Sequence, residues 1–167
     1  MSIILGIDPG LNNAGWGVIK SRGNEIKYIA CGSIKTNPKD DLATRLAKLS
    51  KDLKKIIESY NIDTAAIEET FVNKNAGSSL KLGHARGALM LTVSLAELEI
   101  KEYAAREVKK CVVGVGKAEK EQVAMMVKVL LPGCEIENYD AADALAVAIC
   151  HSQNMNFAKN ISEGIPA

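Results

Sequence analysis

Three extended segments follow one another at the front of the chain before any helical pattern begins, and this order restricts the fold more than any other feature. Ser2 to Asp8 is a short apolar run stopped by Pro9-Gly10. Ala14 to Lys20 alternates toward a Ser-Arg-Gly-Asn turn, and Glu25 to Ile34 alternates again. Consecutive strands joined by short turns pair antiparallel. Leu42, Leu46, Leu49, Leu53, Ile56, Ile57 and Tyr60 then recur mostly at steps of three and four, one stripe of an amphipathic helix. Asp63 to Glu68 reads as a buried strand, Ser78 to Leu98 as helix, and Ile100 to Tyr103 as a further short strand. Ala105 to Val113 and Lys117 to Leu131 are helical by spacing, with Pro132-Gly133 as a stop. A last helix runs from Tyr139 to His151 with Asn138 as its N-cap. Beyond Ser152 the periodicity is lost, so residues 1–152 are expected to form one domain and 153–167 a tail or weak closing turn. Three strands followed by alternating helix and strand predict an α/β fold, a mixed five-stranded sheet flanked by helices.

With 167 residues the chain suits one domain with one sizeable core. Its longest apolar runs fall well short of the ~20 residues that span a bilayer. No charged-then-apolar signal opens it, so a cytoplasmic protein is expected. Cys31, Cys111, Cys134 and Cys150 are too scattered for a zinc pattern and are expected to be reduced thiols. The net charge of +1 is uninformative, but its distribution is uneven. Asn73 to Gly87 carries Lys74, Lys81 and Arg86 with no acid, and Lys101 to Lys128 carries seven Lys or Arg against four Glu. Such stretches are either solvated helix faces or contacts to an anionic polymer.

Against that background four acids stand out. Asp8 and Glu68 each end an apolar strand, where a carboxylate is costly unless paired or bound to a cation. In this topology the two strands lie side by side. Asp140 and Asp143, three apart at the start of the last helix, share one face. Acids early in a helix also favour its dipole. Ala141, Ala142 and Ala144 around them, however, let the helix lie close to the sheet and bring both carboxylates to the strand ends. Oxygen donors without Cys or His suit a hard ion, Mg²⁺ or Mn²⁺. Two such ions about 3.5–4 Å apart would support phosphodiester hydrolysis by in-line displacement.

The residues also carry a family resemblance. Ile4-Leu5-Gly6-Ile7-Asp8-Pro9-Gly10, Ala66-Ile67-Glu68-Glu69 with Phe71 and Asn73-Lys74-Asn75-Ala76, and Leu80-Lys81-Leu82-Gly83 with Ala85-Arg86-Gly87 are the first part of it. Glu102-Tyr103-Ala104-Ala105-Arg106, Val112-Val113-Gly114, Ala118-Glu119-Lys120 and Asp140-Ala141-Ala142-Asp143-Ala144-Leu145-Ala146 continue it in the same order. From about Met1 to His151 this series resembles the RuvC family of Holliday-junction resolvases. The resemblance implies an RNase H-like fold and a homodimer that nicks two opposed strands of a four-way DNA junction in recombination and repair. It implies cooperation with the RuvA and RuvB branch-migration proteins. It places the catalytic, metal-binding acids on Asp8, Glu68, Asp140 and Asp143, with Mg²⁺ as cofactor, two ions per site and Mn²⁺ as substitute. Phe71, Lys109 and Lys120 take junction-contacting roles by the same resemblance.

Physical readings accompany these roles. An exposed Phe71 beside the metal-site strand would stack on an unpaired base. Lys109 and Lys110 project with Arg106 from a helix whose Val108, Cys111 and Val112 face inward. Lys117 and Lys120 are expected in the first turns of the next helix, where a cation opposes the helix dipole but helps to bind an anion. Lys74, Lys81 and Arg86 are further candidate DNA contacts. Gly83 and Gly87, four apart on a helix, suit close helix packing, such as at a dimer interface. His84 and His151 match no catalytic spacing. The alternatives are an RNase H-like nuclease acting on RNA or flap DNA, or an actin-like ATPase fragment, since Gly6 to Gly10 also resembles that superfamily's first phosphate loop.

Overall fold

The structure, a computed structural model, describes residues 1–69 and 75–162. Strands β1 (Ser2–Asp8), β2 (Asn13–Arg22) and β3 (Glu25–Lys35) come first, then α1 (Leu42–Tyr60) and β4 (Thr64–Glu68). Helix α2 (Ala76–Leu95), strand β5 (Glu99–Tyr103) and helices α3 (Ala105–Val113), α4 (Lys120–Leu130) and α5 (Tyr139–Ser162) complete it. The five strands lie in the order β3-β2-β1-β4-β5. The first three pair antiparallel, whereas β4 and β5 join parallel to β1. Each parallel connection crosses over through a helix, which antiparallel hairpins do not need.

Side chains along β1 alternate between two core layers, as a strand buried on both faces requires. Ile4 packs with Ala66, Leu145 and Ile149 in the layer under α5. Leu5 and Ile7 pack with Leu49, Leu53 and Leu89 in the layer under α1 and α2. Full burial of each such side chain stabilises by about 1.5–3 kcal/mol. The same alternation carries Gly6 and Asp8 to the side of Ile4, and Glu68 to the side of Ala66. Both strand-end acids therefore face α5.

Helix α1 starts where Asp41 caps it, its carboxylate accepting the Thr44 N–H at 3.0 Å. Its buried stripe is Arg45, Leu49, Leu53 and Ile57, while the expected Leu42 at its start is exposed.

Three element boundaries differ from expectation. Helix α2 ends at Leu95, and Glu97 in a left-handed conformation turns the chain into β5. Helix α4 begins at Lys120, because Glu119 and Gln122 form a capping box there. Lys117 consequently lies before the helix, not in its first turn. The expected tail is helical through Ser162. Beyond Ser152 the exposed Phe157 and Ile161 bury too little to show a stripe. The helix instead propagates from a buried stretch that has already met the cost of nucleation. Asn156 ties it to the turn between β2 and β3 by donating to the Gly23 carbonyl at 2.6 Å.

Candidate active site

Glycine sets how close α5 comes to the sheet. A Cβ on Gly15 would stand 2.0 Å from the Asp140 carbonyl oxygen, and one on Gly6 would stand 2.1 Å from that of Ala144. At Gly17 it would meet the Leu145 side chain at 2.7 Å. Bare backbone at these positions lets α5 rest directly on β1 and β2, with its Ala141, Ala142 and Ala144 buried. The alanines were legible as a signal for close packing. The glycines facing them, two apart on β2, carried the same message and went unread.

Asp8 lies opposite Gly15 in the sheet, and Gly15 touches the main chain of Asp140. Asn138 starts α5 as expected: its side-chain oxygen accepts the Ala141 N–H at 2.9 Å, and its amide donates to Ser33 Oγ at 3.2 Å. This cap fixes the first turn, from which Asp140 projects, with Asp143 following one turn along the same helix. Asp8, Glu68 and Asp143 line one cavity of about 180 Å³ together with Lys109 and Lys120. Asp140 lines the neighbouring cavity, which extends along the loop after β1.

The electrostatics mark a cluster of like charges. Burial pushes the Asp8 carboxyl up to about 8, reinforced by the charges of Glu68, Asp143 and Asp140 and opposed by Lys120. Burial also pushes Glu68 up to about 7, with Asp143 adding and Lys109 and Lys120 subtracting. Asp143 is raised as well, again mainly by burial. Lys120 Nζ stands 3.9 Å from the Asp143 carboxylate. Among the described residues, no three acid, histidine or cysteine side chains stand close enough to hold an ion as they are. Mutual repulsion keeps carboxylates apart, and a divalent cation is what would draw them together. The donor set, all carboxylate oxygen, fits a hard cation.

The structure places the basic candidates in different settings. Lys109 and Lys120 belong to the carboxylate cavity, and Lys81 lines the adjoining one. Arg86 is engaged internally: its Nε donates to the Glu68 carbonyl at 3.3 Å and its Nη2 pairs with Glu102. That geometry makes Arg86 a residue that positions the end of β4, a role not readable from a basic residue on a helix. Phe71 and Lys74 lie outside the described residues. His84 is exposed on α2. His151 is buried and held between Thr64 Oγ1 at 3.0 Å and Tyr103 OH at 2.9 Å. Its imidazole is a satisfied core group away from the acid cavity, and burial lowers it to about 4.

A mixed sheet of this order, with acids at the ends of its two central strands and a third on a helix packed across them, defines a nuclease of the RNase H-like class. Comparison with known proteins carries this further. Residues 4–151 match the family model described as crossover junction endodeoxyribonuclease RuvC. A crossover junction endodeoxyribonuclease RuvC of Rhizobium johnstonii is 51% identical over 151 residues, covering 90% of this chain and 89% of that protein. A T. thermophilus RuvC, solved in complex with Holliday junction substrate, superposes with a TM-score of 0.87. It is 27% identical, and the match covers 95% of this chain and 97% of that one. The yeast mitochondrial Holliday junction resolvase shares the fold at a TM-score of 0.67 and 14% identity, over 96% of this chain and 83% of its own. The chain belongs to the RuvC family of crossover junction endodeoxyribonucleases. It is an RNase H-like, divalent-metal nuclease.

Proposed function

We propose that this chain resolves four-way DNA junctions as a homodimer, with Asp8, Glu68, Asp140 and Asp143 as the catalytic acids that hold two Mg²⁺ ions, Mn²⁺ substituting. The observation that carries this reading is the convergence of acids from β1, β4 and α5 with two lysines on one cavity. When bound, the cations would supply an activated water and offset charge on the leaving oxygen. The chain's own groups hold and orient. The cap at Asn138 and the glycine contacts under α5 set the helix that bears two of the acids. Arg86 fixes the end of β4 beneath Glu68. Lys109 and Lys120 temper the repulsion among the acids and remain beside the position a scissile phosphate would take.

Exposed Leu80, Leu91 and Leu95 share α2 with Gly83 and Gly87, whose neighbourhoods are open. A helix face of that kind supports dimerisation by close helix packing, and two copies would present two sites to opposed strands. By family likeness Phe71, like Lys109 and Lys120, contacts the junction, and RuvA and RuvB act with the enzyme in the cytoplasm; Lys74 and Lys81, from the acid-free basic stretch, are further DNA contacts on charge alone. Among the described residues no helix is long and apolar enough to cross a membrane.

Labelled four-way junction, duplex, flap and RNA–DNA hybrid, each with and without Mg²⁺, test the assignment. Paired symmetric nicks confined to the junction are expected. Equal cutting of flaps or hybrids would favour a different RNase H-like nuclease. Asp8→Asn should still bind the junction and lose Mg²⁺-dependent cleavage by at least about a hundredfold, as befits loss of charge stabilisation at the reacting phosphate. Full cutting by that variant would sink the metal assignment.

A further inference from the structure

Helix α1 buries a stripe at every fourth residue, and at its first position, where Leu49, Leu53 and Ile57 set an apolar pattern, stands Arg45. The residue is only 8% exposed. None of the ion pairs among the described residues includes it. Its guanidinium donates from Nε to Thr36 Oγ1 at 3.0 Å and from Nη2 to Asn12 Oδ1 at 2.5 Å, both neutral acceptors. Thr36 in turn donates to the Leu11 carbonyl at 2.5 Å, and its N–H donates to the Asn12 carbonyl at 3.0 Å. These bonds hold the loop that follows Asp8, a task a neutral amide could perform. Guanidinium stays charged at any pH a protein meets, and a largely buried charge without a counterion is unfavourable. The positive charge is therefore surplus to the loop clamp and calls for an anion.

The place for that anion is also visible. Nη1 makes no hydrogen bond to a described residue, yet no fully buried polar side-chain atom among the described residues is without a partner. Nη1 thus reaches open space, and the space Arg45 lines is a cavity of about 540 Å³. Lys81 of α2 contributes a second cation to it, and Ser78 stands in the first turn of the same helix, which has no acid there. The acid in its lining is Asp140, whose charge also acts on Asp8 and Asp143 of the carboxylate cavity. A planar fork with free donors, a second cation and a helix N-terminus match a phosphate group.

We propose that Arg45, held by Thr36 and Asn12 and assisted by Lys81, binds a backbone phosphate of the strand being cut, next to the scissile one, and so sets that strand's register over the carboxylates. This rests on the junction-nuclease reading above. Its ligand is the nucleic-acid phosphodiester itself, independent of base.

The test is a scan of single methylphosphonates, each removing one phosphate charge, through the strand around the cut site. Binding is measured with Ca²⁺, which takes oxygen ligands as Mg²⁺ does. For the unaltered chain, one position beside the cut should weaken binding about tenfold, the worth of one charge-assisted contact. In Arg45→Met the penalty at that position should shrink to the smaller share that Lys81 leaves, and the slope of log affinity against log salt should fall by about one. Equal penalties in both proteins at every position, with an unchanged slope, would reduce Arg45 to a loop clamp and overturn the proposal. Melting curves show whether Arg45→Met folds. Should it not, Arg45→Lys takes the same scan: an unchanged slope with a smaller penalty at the one position supports the site, and an undiminished penalty there refutes it. If the unaltered chain binds duplex as well as junction, the function reading fails, while the scan on duplex still reports on Arg45.

Discussion

Asp8 and Glu68 each end a strand whose neighbouring residues are buried apolar groups, and both carboxyls are raised far above their ordinary range, first by burial and then by nearby carboxylates, Glu68, Asp143 and Asp140 acting on Asp8 and Asp143 on Glu68. An acid whose folded value is raised binds more protons in the folded than in the unfolded state between the two values. Stability from these groups is therefore present at low pH and lost as pH rises through the folded values. His151 has the opposite sign: its value is depressed, so it is neutral in both states above its ordinary 6.5 and contributes no slope there. From about pH 6.5 to 9 the carboxylates should dominate. The metal-free protein should melt several degrees lower at the upper end than at the lower, and Mg²⁺ should restore more stability at high pH. Thermal melts at both pH values, with and without Mg²⁺, check this. A melting temperature that rises with pH without metal would contradict the clustering of the acids.

At the scale of elements, α5 and the two strands beneath it form the part that makes the site. Nothing in α5 alone brings Asp140 and Asp143 to Asp8; the missing side chains of Gly6, Gly15 and Gly17 do. Gly15→Ala places a methyl carbon 2.0 Å from the Asp140 carbonyl oxygen, and the helix must shift to admit it. Overpacking of this kind costs about 1–3 kcal/mol. Denaturant unfolding should register that loss, and cleavage should fall more steeply than stability, since the displaced helix carries two acids. A variant with unchanged Mg²⁺ dependence would show that the approach of α5 is not what sets the site. The same element explains a missed boundary: residues 153–162 continue the helix with little burial, so no stripe advertised them.

For the whole molecule, the described residues of a single chain offer one such carboxylate cavity, whereas paired incisions require two. On the proposed homodimer, the exposed leucines of α2 meet their counterparts across a two-fold axis. Leu91 is 60% exposed, so Leu91→Asp should leave the folded chain's stability within about 0.5 kcal/mol. Sedimentation should find a monomer, and paired nicking should give way to single nicks or none. A variant that stays dimeric and nicks in pairs would place the interface elsewhere.

Much of this was legible along the chain because it is local. Period-two runs named the strands, period-three-to-four runs the helices, and a carboxylate ending an apolar strand declared itself by its cost. The ordered motifs named the family. What stayed hidden depends on partners distant in sequence. Arg86, expected from its charge as a candidate DNA contact, also holds the Glu68 main chain, a relation between α2 and β4 that no spacing encodes. Lys117 and Lys120 looked equivalent until the capping box at Glu119 left one of them outside α4. Arg45 broke an apolar stripe without notice, because its burial and lack of a counterion exist only once the loop after β1 folds over α1. The sequence by itself determined the order of the elements and the family, and singled out the four acids as candidates. Tertiary structure decided which cavity each acid and base shares, because burial and charge proximity arise only when β1, β4 and α5 are brought together.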